Sequence, residues 1–136
     1  MTTSRHHARR IVVLMLIGLA LIATPSLVRA DYPGFETTLA EPGGVIDLSA
    51  PRRLAVSPDE IKAWVQRAAT ALTHFYGRYP VKRVSITVLP GGDGDVQGGV
   101  EYDGRRIEIH LGTDTTHADL LGDWMITHEM FHLSQP

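Results

Sequence analysis

His128, Glu129 and His132 have the residue types and the spacing of a metal-assisted hydrolytic centre, H-E-x-x-H. On a helix, residues four apart lie about 6 Å apart along the axis and share a face, so both imidazoles can converge on one ion. Zinc accepts such nitrogens at about 2.0–2.1 Å. Glu129 sits about 100° around the helix from His128, where its carboxylate can reach a water at the metal instead of the metal itself. The chemistry would be hydrolysis: zinc polarises a carbonyl and acidifies water, and Glu129 takes a proton and passes it to a leaving amine. The competing reading is two ordinary half-buried histidines on a packing helix. The chain has no cysteine, which removes thiol catalysis, disulfides and Cys-based metal sites. Gly91-Gly92-Asp93-Gly94-Asp95-Val96 nearly matches a calcium-binding nonapeptide, but Val96 replaces the required Asp and no tandem copy follows, so a loop is expected.

For these residues to act, the chain must place them on a helix against a sheet. Thr116 can cap a helix running to about Leu133, with Leu120, Leu121, Trp124 and Phe131 on its buried side. Upstream, Ser57-Pro58-Asp59-Glu60 is a capping box that starts a long helix. Ile61, Trp64, Val65, Ala68, Leu72, Phe75 and Tyr76 form its apolar stripe, and Gly77 stops it. From Val81 the period becomes two, with Val84, Ile86 and Val88 on one strand face. A strand over Val96–Tyr102 turns at Asp103-Gly104 into Arg105–Leu111, where Ile107, Ile109 and Leu111 share a face and His110 points the other way. Residues 31–56 read as a Pro- and Gly-rich lead-in with one possible strand at Val45–Leu48. The expected class is α+β, a small mixed sheet with a packing helix and an active-site helix on one face.

The segment Asp123–His132 resembles the active-site helix of gluzincin zinc metallopeptidases, the group containing thermolysin-like, aminopeptidase-N-like and glycyl-aminopeptidase families. Gly98-Gly99-Val100-Glu101-Tyr102 is similar to the Gly-x-Met-Glu-Asn and Gly-Gly-Leu-Glu-His segments of the last two. The resemblance implies a zincin-like N-terminal lobe over residues 57–136, with His128 and His132 on zinc and Glu129 as general base. It also implies a substrate-lining edge strand at Gly98, Gly99 and Glu101, with Glu101 binding a peptide's free amino group. Tyr102 stands where those families have Asn or His, and a solvated Glu101 beside a turn is the alternative. The families' third ligand, a Glu on a later helix, has no counterpart among Leu133–Pro136, so the resemblance implies a lobe truncated at its C-terminus. Spacing does not bring His117, Asp119 or Asp123 to the same ion.

Composition sets the compartment and the partners. Met1–Arg10 is polar and basic, Ile11–Ala23 is apolar, and Val28-Arg29-Ala30 offers a cleavage site, the order of a signal peptide cut after Ala30. The expected location is the periplasm or the exterior, the alternative being an uncleaved N-terminal membrane anchor. Four of the thirteen basic residues precede residue 31 and none of the fifteen acids does, leaving nine against fifteen, a net −6. An acidic remainder of 106 residues without a basic stripe is a poor nucleic-acid binder. The expected partner is a peptide or protein substrate. A catalytically inactive remnant, or a peptide- or partner-binding module of the same fold, is the other reading.

Overall fold

The computed structural model describes residues 32–135, so the expected signal segment lies outside the described residues. The chain runs through β1 (Phe35–Glu41), β2 (Gly44–Ala50), α1 (Pro58–Tyr76), β3 (Arg83–Pro90), β4 (Val96–Tyr102), β5 (Arg106–Leu111), α2 (His117–Gly122) and α3 (Met125–His132). The strands form one mixed sheet in the order β1-β2-β3-β5-β4. The inner pairs β2·β3 and β3·β5 are parallel and the outer pairs β1·β2 and β4·β5 antiparallel. The α+β class is therefore as expected, and β4 ends the sheet on the side of the candidate site.

Alternation gives the sheet two unlike faces. Ile46, Leu48, Val84, Ile86, Val88, Ile107, Ile109 and Leu111 are buried together beneath the helices. Asp47, Ser49, Ser85, Thr87, Glu108 and His110 lie at the alternate positions, and Arg83 grips Asp47 there at 2.6 and 2.7 Å. Helix α1 lays Ile61, Trp64, Val65, Ala68 and Leu72 on the apolar face. Both halves of its capping box are formed, and Gly77 closes it in the left-handed conformation at φ 74°. At its far end Phe75 and Tyr76 leave the stripe and are exposed.

Two expectations are corrected. The lead-in is a hairpin, not a single strand: β1 pairs with β2 from Phe35↔Ala50 to Glu41↔Gly44. Glu41, at the inward end of β1, accepts hydrogen bonds from Gln66, Thr70 and Thr73, which ties the hairpin to α1. The C-terminal helix is also broken in two. Asp123 adopts an extended ψ of 138°, and its carboxylate accepts from the backbone N–H groups of Met125 (3.0 Å) and Ile126 (3.3 Å). A side chain that satisfies the first amides of a new helix ends the old one. Because of the break, Leu121 and Trp124 are exposed and Phe131 is 40% exposed; Leu120 alone of the expected four is buried, and Ile126, Met130 and Leu133 fill the inward side.

Candidate active site

Helix α3 positions the three residues of the H-E-x-x-H pattern, and its own placement is fixed from outside. Trp64, buried on α1, donates its indole N–H to Asp123 at 3.1 Å, so the carboxylate that starts α3 is anchored to the longest helix. Arg67 of α1 donates to the Leu120 carbonyl at the end of α2. Met130 and Ile126 are buried beneath α3, and this leaves His128 and His132 on its exposed side.

The two imidazoles converge. Their Nε2 atoms are 3.1 Å apart and the rings stand at 89° with centroids 4.7 Å apart. Two ligands at 2.05 Å from a tetrahedral ion are separated by about 3.3 Å, so this pair fits two of the four positions of zinc. The same distance also allows one imidazole to donate to the other. Trp124 packs edge-on to His128 with centroids 5.2 Å apart.

Glu129 is 7% exposed, with its side chain against Gly99 of β4. Gly99 makes room for it: a Cβ there would lie 2.6 Å from Glu129 Cγ and 2.5 Å from Ile109 Cδ1. The strand glycine thus marks a close approach by a helix side chain. A register shift between Val96 and Gly98 bulges the strand just before this point. Gly99 and Glu101 pair with Ile109 and Ile107, so both belong to the strand face that α3 covers. Gly98 pairs with His110, and its Cβ position is open. Glu101 accepts a hydrogen bond from the Gly104 amide, closing a turn whose Asp103 and Gly104 both have positive φ (54° and 65°).

His117, Glu60 and Asp119 are engaged elsewhere. His117 Nδ1 is 3.5 Å from Glu60, and Asp119 accepts from Thr116 at the start of α2. Hydrogen bonds from Ser57 hold the Glu60 carboxyl below its usual pKa, and those from Thr116 do the same for Asp119. Among the described residues no group of three or more His, Cys, Asp or Glu side chains is gathered for a metal. The Gly91–Asp95 loop is laced to the following segment by Thr113 N–H to Gly92 O (2.8 Å) and Asp114 N–H to Gly94 O (3.0 Å). Asp123 and Trp64 are the site residues that the sequence reading passed over. The signal for them was Asp two residues before Met125, an N-cap arrangement hidden inside an apparently continuous helical period. No protein-family model matches the chain, and neither the curated proteins nor the solved structures contain a match to it.

Proposed function

We propose that this chain carries the zinc-binding and general-base half of an exported metallopeptidase site of gluzincin type. The observation that supports it most is the convergence of His128 and His132 at 3.1 Å on the same helix that buries Glu129 against Gly99 of the sheet's last strand. His128 and His132 would hold the ion. Bound there, zinc supplies Lewis acidity, lowering the pKa of water and polarising the scissile carbonyl. Glu129 accepts the proton of the attacking water and delivers it to the departing amine. Its burial and its close approach to Gly99 support a base held in position. An extended peptide would lie along β4, whose far side pairs with no strand among the described residues, at Gly98 and Gly99, with Glu101 toward its amino end.

A second reading is a non-catalytic module that captures peptide on the same edge. It is favoured by the exposed rings of Trp124, which touches His128, and of the Phe75–Tyr76–Phe131 cluster, a surface suited to contact more than to turnover. One experiment separates them. The chain, loaded with zinc, is offered a broad peptide library, and a chelator and Glu129→Gln serve as controls. Cleavage lost with either control supports the peptidase; binding without cleavage supports the module. Neither binding nor cleavage would refute both.

A further inference from the structure

Zinc in a closed site takes four ligands, and α3 offers two. We propose that the His128–His132 pair is half of a four-histidine zinc site completed by the same pair of a second copy of this chain. The proposal rests on the zinc-binding pair of the reading above but assigns it another state. A two-fold contact is self-complementary, so the patch that meets the axis in one copy meets it in the other. Two convergent nitrogens at the axis become four, and 3.1 Å between them already suits two neighbouring ligands.

The surroundings of the pair fit a second copy. Along Trp124–Gln135 the only charged side chain is Glu129, and it is buried. Bringing two such helices together therefore opposes no like charges along α3. Exposed rings share the outer side of α3 with the histidines. Trp124, 63% exposed, touches His128, and Phe131 packs with Phe75 and Tyr76 at 5.9 and 5.7 Å, Phe75 being 73% exposed. Exposed aromatic side chains are enriched in protein–protein contacts. A four-histidine site leaves no position for water, so the paired form is closed to the hydrolysis proposed above.

The test is to titrate the full chain with zinc while following bound metal and molecular mass by sedimentation. The expected result is saturation at one zinc per two chains, a doubling of mass, and a return to monomer with EDTA. His128→Ala and His132→Ala should stay monomeric. Trp124→Glu, which keeps both ligands, should raise the dimer dissociation constant about tenfold or more. One zinc per chain without doubling overturns the pairing, and so does doubling that persists in EDTA. The two proposals fail separately. One zinc per chain with Glu129-dependent cleavage sinks the pairing and keeps the peptidase. Zinc-linked dimers that cleave nothing at any dilution do the reverse, and no zinc binding sinks both.

Discussion

Glu129 and the two histidines are neighbours in sequence but differ in environment, and this sets what their replacement should do. Glu129→Gln keeps size and burial but cannot take a proton, so zinc should stay bound while peptide cleavage falls about 10²- to 10⁴-fold. His132→Ala should lose the metal itself while the fold is retained, since the ring is exposed. Equal loss of zinc in both variants would remove the role assigned to Glu129. Gly99 gives a second test from the opposite wall. In Gly99→Ala the new methyl meets Glu129 Cγ and Ile109 Cδ1, overpacking that should cost about 1–3 kcal/mol and displace the carboxylate. Thermal unfolding checks the first effect. Catalytic rate at unchanged zinc affinity checks the second.

At the scale of elements, legibility followed local chemistry. Helix α1 could be placed from Ser57 to Gly77 because the capping box and the left-handed stop are encoded in adjacent residues. The β4–β5 hairpin was equally plain from Asp103-Gly104. Strand β1 was hidden because its inward positions are Phe35, Thr37, Leu39 and Glu41, and the last is made tolerable only by Gln66, Thr70 and Thr73 of a helix far away in sequence. The break before α3 was hidden because Trp64, 59 residues upstream, helps to hold Asp123 in place. Asp123→Ala should remove a cap and leave the buried indole N–H unpaired, costing about 2–4 kcal/mol and weakening zinc binding as α3 frays. Asp123→Asn keeps an acceptor and should recover part of both. The α1 cap carries its own pH dependence. Glu60 titrates below the usual 4.5, mainly because Ser57 donates to it, so its stabilisation is complete above that value and is lost as pH falls through the lowered one. Ser57→Ala should shrink this acid-side loss, measured as the pH dependence of the unfolding midpoint.

For the whole molecule, the site and the core share one support. The sheet buries its apolar face under α1 and α3, and the helix that fills part of the core also carries the histidine pair on its outer side. Zinc held by this pair would be coupled to folding, because the two nitrogens are held 3.1 Å apart only while α3 is formed and docked. A ligand that binds the native state alone stabilises it by about 2.7 kcal/mol at one hundred times its dissociation constant. For a domain near 100 residues this corresponds to a rise in unfolding temperature on the order of 10 °C. Zinc should therefore raise the transition, EDTA should reverse the rise, and His128→Ala should abolish it while Glu129→Gln retains it. If the shift is metal-linked pairing as well as ligation, it should also grow with protein concentration at a fixed zinc-to-chain ratio. A zinc-induced rise that is independent of protein concentration would assign the coupling to one chain. A transition that zinc leaves unmoved would mean that α3 carries no metal at all.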